Sequence, residues 1–191
     1  RSNIFSGKEE RNIMQNKANL ILLIIILLLL ASSMAYTIEN DLYVTEKAGN
    51  GRFALSVDGF SVPLFVSNED WPGVLRVIKH LQADIKRVTE VEPELNIDKL
   101  PSATELVLVG TLGKSPVVDK LVADKKLDVT SIAGKRESFL IQVIKNPLPG
   151  VNSALIIAGS DKRGTIYGMY ELSAQIGVSP WYWWADAPPK K

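Results

Sequence analysis

The chain has 191 residues, 46% of them apolar, and a formal net charge of +1. That is room for one ordinary domain with a packed core plus a targeting segment, and the charge is too small for nucleic-acid binding by bulk electrostatics. There is no cysteine, which excludes disulfides, thiolate catalysis and thiolate metal ligation, and the single histidine, His80, cannot build a histidine metal cluster. No metal site and no cofactor is expected.

The first informative stretch is "MQNKANLILLIIILLLLASSMAYT". A Met and one basic residue, Lys17, precede an apolar run from Leu20 to Ala31, followed by small residues at Ser33 and Ala35. These three zones predict a secretory signal peptide over 14–35, cleaved after Ala35. The apolar run is shorter than the roughly 20 residues of a bilayer span, so an uncleaved anchor is the lesser reading. Residues 1–13 read as a non-native or upstream extension. The remainder is near-neutral and suits a secreted or periplasmic protein with a neutral partner such as a carbohydrate. It has no membrane association once the leader is removed.

Beyond the leader, "RFALSV" (52–57) and "VPLFVS" (62–67) read as a hairpin around Asp58-Gly59. The period then changes: Val74, Ile78, Leu81, Ile85 and Val88 form one helical stripe, started by Pro72 with Glu69 and Asp70 near the positive end of the dipole. His80 lies off the stripe and reads as a solvated surface residue. "ELVLVG" (105–110) predicts a strand buried on both faces. Ser115 then caps, and Pro116 starts, a short helix with Val117, Val118, Leu121 and Val122 inward.

"SFLIQVIKN" (138–146) alternates as a strand, "NPLPG" (146–150) turns, and "ALIIAG" (154–159) is a second buried strand. Ser160 or Asp161 caps a last helix. Its Gly164 and Gly168 share one face, which implies close approach to the sheet, since each costs about 1 kcal/mol against Ala. Ile166, Met169, Tyr170, Leu172 and Ile176 are expected to bury around them, with Gly177 as the C-cap. Strands alternating with helices predict an α/β fold, a layered mixed sheet flanked by helices.

Two junctions invite a nucleotide reading and fail it. In "VGTLGKSP" Gly110 and Gly113 are two residues apart, whereas a phosphate loop needs four between its glycines and Gly-Lys directly before Ser/Thr. Gly159, Gly164 and Gly168 are too widely spaced for a dinucleotide fingerprint.

The C-terminal "SPWYWWADAPPKK" concentrates the tryptophan. Trp181, Trp183 and Trp184, with Asp186, are candidate substrate-binding residues, because aromatic faces stack on sugar C–H faces. The favoured reading is a domain junction: extended residues alternate, so Trp181 and Trp183 face one way, Tyr182 and Trp184 the other. One pair then meets this domain and the other a following one.

"GTLGKSPVVDKL", "KLDVTSIAGKRESFLIQV" and "NPLPGVNSALIIAGSDKRGTIYGMYELSAQIGVSPWYWWAD" together resemble the N-terminal domain of glycoside hydrolase family 115, the xylan α-glucuronidases, over roughly residues 53–191. "RGTIYGMYEL" is also similar to the helix start before the barrel of hexosaminidase-type hydrolases. The resemblance implies an N-terminal α/β domain over 36–180, a linker over 181–191 and a catalytic (β/α)8 barrel beyond it. It further implies inverting release of glucuronic acid or its 4-O-methyl form from glucuronoxylan. The barrel is the expected partner, and no catalytic residue falls in this chain. Arg136, Glu90 and Ala187 depart from the family pattern, which has an aromatic, a glycine and a valine there. A free-standing carbohydrate-binding module using the Trp181–Trp184 ridge, or a purely structural domain, are the competing readings.

Overall fold

The computed structural model describes residues 14–15, 17–22, 43–45, 49 and 51–179. The chain divides into two units, 1–41 and 42–191. In the first, the described residues, 14–15 and 17–22, are helical with exposed side chains; the rest of the stretch 14–35, read from sequence as a signal peptide, lies outside the described residues.

Among the described residues, the second unit contains seven strands and three helices. β1 (Ser56–Val57) and β2 (Phe60–Ser61) form a minimal antiparallel hairpin. Its two-residue loop places Asp58 at φ 50 and Gly59 at φ 79, the left-handed pair that a primed hairpin turn needs. The main sheet holds β3 (Leu64–Val66), β4 (Leu95–Ile97), β5 (Glu105–Thr111), β6 (Phe139–Lys145) and β7 (Ser153–Gly159) in the order β4-β3-β5-β7-β6. All neighbours are parallel except β6, an antiparallel edge on β7.

The expected hairpin is therefore corrected. The turn forms, but 62–67 does not pair with 52–57 beyond its first residues; β3 leaves to lie parallel between β4 and β5. Leu64, Phe65 and Val66 are all buried, a two-faced burial that an outer hairpin strand would not allow. β4 carries no strand signal beyond three residues and was not foreseen from the sequence.

Alternation along the strands divides the core. Leu64, Val66, Val107, Val109, Leu155 and Ile157 face one layer, built from α1 (Pro72–Thr89) and α3 (Lys162–Gln175). Phe65, Leu106, Leu108, Ala154 and Ile156 face the other, closed by α2 (Pro116–Ala123) and by Leu127, Ile132 and Val151 from the irregular segments. β5 and β7 are thus apolar on both faces, as their sequences require.

The helices follow their local chemistry. α1 buries Val74, Val77, Ile78, Leu81 and Ile85, and Asp84, buried among them, is paired with Arg87. It ends at Glu90, whose φ of 63 lies in the left-handed region that favours glycine. α2 starts on Pro116 under Ser115, whose hydroxyl accepts from the Val118 amide. α3 closes with Val178 N–H on Ser173 O and Gly177 N–H on Ala174 O, a Schellman pair.

The two helix glycines lie where close approach was expected. A Cβ on Gly164 would stand 2.2 Å from the Ser138 carbonyl oxygen, and one on Gly168 would stand 2.7 Å from Ile157 Cγ2. Met169 and Leu172 are buried, with Ile166 and Ile176 packed partly against that layer, but Tyr170 is not: it is 45% exposed. It sits one helical step away from the sheet-facing side, next to His80 on the outer surface, and the two side chains lie 3.3 Å apart. His80 is exposed, as read.

Candidate functional site at the carboxyl edge of the sheet

Three loops leave the carboxyl ends of the parallel strands β3, β5 and β7. Between them lies a cleft of about 380 Å³, lined by Trp71, by Thr111 to Lys114 and by Ser160 to Arg163. Helices α1 and α3 leave one face of the sheet and α2 the other, so the cleft sits where an open α/β sheet usually offers a ligand site.

One buried network holds the three loops in register. Asp70, 3% exposed, accepts 2.7 Å hydrogen bonds from the Thr111 amide, the Thr111 hydroxyl and the Trp71 amide. A carboxylate only accepts, so the Thr111 hydroxyl hydrogen belongs to Asp70. The Thr165 hydroxyl, 2.7 Å from Thr111 Oγ1, then has two acceptors, Thr111 Oγ1 and the Asp161 carbonyl. The chain of contacts ties the start of α1, the end of β5 and the start of α3. The Trp71 carbonyl also accepts from Val74 and Leu75, so Trp71 is fixed at both ends of its peptide.

Asp161 is the carboxylate that lines the cleft. It caps α3 by accepting from Gly164, and its other oxygen accepts from Glu137. The Glu137 amide first, then that of Gly164, hold its carboxyl below the ordinary carboxylate value. Its contribution to stability is therefore present above the unfolded value, about pH 3.9, and is lost as pH falls through the lower folded value. Asp161→Asn caps comparably but does not titrate. Urea midpoints of the two proteins should differ at pH 6, and the difference should shrink as pH falls below about 4; a constant difference would show that Asp161 charge contributes nothing.

The basic groups surround this frame. Arg163 bonds the Glu137 carboxylate at 2.9 Å and the Tyr167 hydroxyl at 2.7 Å. Lys114 holds its ammonium 4.6 Å from the centre of the Trp71 ring, and Trp71 is 40% exposed. Backbone donors are used internally: Leu112, Lys114 and Ser115 give their amides to Gly159 and Thr111 carbonyls, and Gly113 gives its amide to Asp119. The amides of residues 112–115 are thus all engaged within their own loop and its neighbours.

The lining carboxylate Asp161 is committed to the Glu137 and Gly164 amides, and the buried Asp70 to the Trp71 and Thr111 amides. Among the described residues no group of three His, Asp or Glu side chains could hold a metal ion. The predicted aromatic site, Trp181, Tyr182, Trp183, Trp184 and Asp186, lies outside the described residues.

The cleft itself was missed from sequence. Its signal was present in "GTLGKS" and "GSDKRG", two loops at carboxyl ends of buried strands, which were tested only against phosphate spacings.

The description "Glycosyl hydrolase family 67 N-terminus" matches residues 44–172. The chain belongs to this family. The match covers β1 to most of α3, the whole frame of the cleft. A solved structure, reported as "a novel family GH115 4-O-Methyl-alpha-glucuronidase, BtGH115A, with specificity for decorated arabinogalactans", is similar at 31% identity with a TM-score of 0.54, over 68% of this chain. The chain spans 15% of that protein's length. No curated protein matches. The expected likeness to a glycoside hydrolase N-terminal domain thus stands, with a matching family numbered 67 and a structural relative numbered 115.

Proposed function

We propose that this family 67-type domain is the non-catalytic N-terminal domain of an exported α-glucuronidase, of family 115 by its motifs. The complete enzyme removes glucuronic acid or its 4-O-methyl form from glucuronoxylan by inverting hydrolysis. The acid and base come from a barrel outside these residues, and the Trp181–Trp184 run forms the junction with it. The observation that carries the reading is the family match over 44–172 joined to a cleft whose lining carboxylate, Asp161, is committed to backbone amides. The relative's printed activity supports the choice of α-glucuronidase.

The test is direct. The purified 191-residue chain, incubated with glucuronoxylan, is expected to release no glucuronic acid above a heat-treated control. Turnover by the chain alone would overturn the non-catalytic assignment.

A further inference from the structure

The cleft at the carboxyl edge is unbalanced in charge. Its one lining carboxylate, Asp161, is taken up by the Glu137 and Gly164 amides, and the buried Asp70 nearby by Thr111 and Trp71. Lys114 and Lys162 line the same space, and neither has a carboxylate partner among the described residues. Beside them stands the partly exposed indole of Trp71, held in place by the Asp70 network. The N-terminus of α3 adds no anion site, because Asp161 already occupies it.

These groups narrow the ligand class. A phosphate would call on backbone amides, and those of residues 112 to 115 are engaged. A neutral sugar would offer neither ammonium group an anionic partner. A ring with an apolar C–H face and one carboxylate uses both the indole and the lysines. A volume of about 380 Å³ falls in the range of small-ligand sites.

We propose that this cleft is a binding subsite for a uronic acid residue, its carboxylate on Lys114 and Lys162 and its pyranose face against Trp71. A carboxylate is a stronger partner for an ammonium than an indole face is. Its arrival draws Lys114 off the ring and opens that face to the sugar. The choice of a uronate rests on the α-glucuronidase reading; the groups that bind it belong to this chain alone.

The experiment titrates the ¹⁵N-labelled 191-residue chain with sodium D-glucuronate, D-glucose and sodium acetate. Glucuronate is expected to bind with a millimolar Kd and to shift the Trp71 indole and the 112–114 amides. Glucose and acetate should bind at least about tenfold more weakly. Lys114→Ala, Lys162→Ala and Trp71→Ala should each weaken glucuronate at least about fivefold, whereas Lys79→Ala, on α1 away from the cleft, should not. Unchanged amide spectra elsewhere would establish that the variants remain folded. Equal binding of acetate, indifference to the three substitutions, or no glucuronate binding would each overturn the subsite. Failure here with glucuronic acid release by the complete gene product intact removes only the subsite. Binding here with no such release removes only the enzymatic reading.

Discussion

Gly159→Ala and Gly164→Ala are each expected to destabilise the domain by roughly 3–5 kcal/mol, the overpacking range and beyond. At Gly159 the added Cβ would stand 2.1 Å from the Thr165 nitrogen and 2.6 Å from its Cα. At Gly164 it would stand 2.2 Å from the Ser138 oxygen. In both cases the obstacle is backbone, so no rotamer change relieves it. Either α3 lifts from the sheet or β6 and β7 separate at their ends. A domain with about 5–15 kcal/mol of total stability loses much of it by either route. Gly73→Ala is the internal control. Its Cβ would meet Ile166 Cδ1 at 3.5 Å, an ordinary contact, so the same change should be neutral or stabilising by up to about 1 kcal/mol. Urea unfolding of the three variants checks the order; equal effects at Gly73 and Gly164 would show that helix propensity, not close approach, governs these positions.

Asp70→Ala is expected to cost roughly 3–5 kcal/mol, because it strands the Thr111 amide and hydroxyl inside the protein and each unsatisfied buried group costs about 1–3 kcal/mol. Asp70→Asn keeps one acceptor oxygen but turns an N–H donor toward other donors, so an intermediate loss of about 1–3 kcal/mol follows. The effect should be local as well as global. In Asp70→Asn the Thr111 amide should exchange with deuterium much faster than in the wild type, while amides of β7 away from the cleft keep their relative protection. If Thr111 exchange is unaltered, the network does not hold the loops.

Much of this fold was legible because local pattern and burial agreed. "ELVLVG" after its leading Glu105, and "ALIIAG" throughout, carry no charged or polar side chain, and they became the paired strands β5 and β7, buried on both faces. Ser115-Pro116 and Asp161 announced helix starts through capping chemistry that needs no distant partner. The Gly164 and Gly168 face reported the sheet beneath it, since nothing else justifies two helix-interior glycines. What failed depended on partners far along the chain. Leu64–Val66 looked like the return strand of a hairpin, and only its burial beside β5 shows it belongs elsewhere. Asp70 read as a dipole acid preceding α1, whereas its oxygens face Thr111, 41 positions later. Trp71 carries no local hint of the cleft it lines. Tyr170 was grouped with the buried stripe, although a single helical step carries it from the sheet side to the surface.

The most direct test of the account is the product released by the complete gene product that carries this domain. Incubated with glucuronoxylan, it should release glucuronic acid or 4-O-methylglucuronic acid, as the α-anomer inverted to β at the moment of release. NMR observation of the first-formed anomer, with arabinogalactan as the competing polymer, decides both the bond cleaved and the substrate. Release of a β-configured uronic acid from glucuronoxylan is the predicted result. A complete gene product that leaves the uronic acid side chains of glucuronoxylan intact would contradict the account.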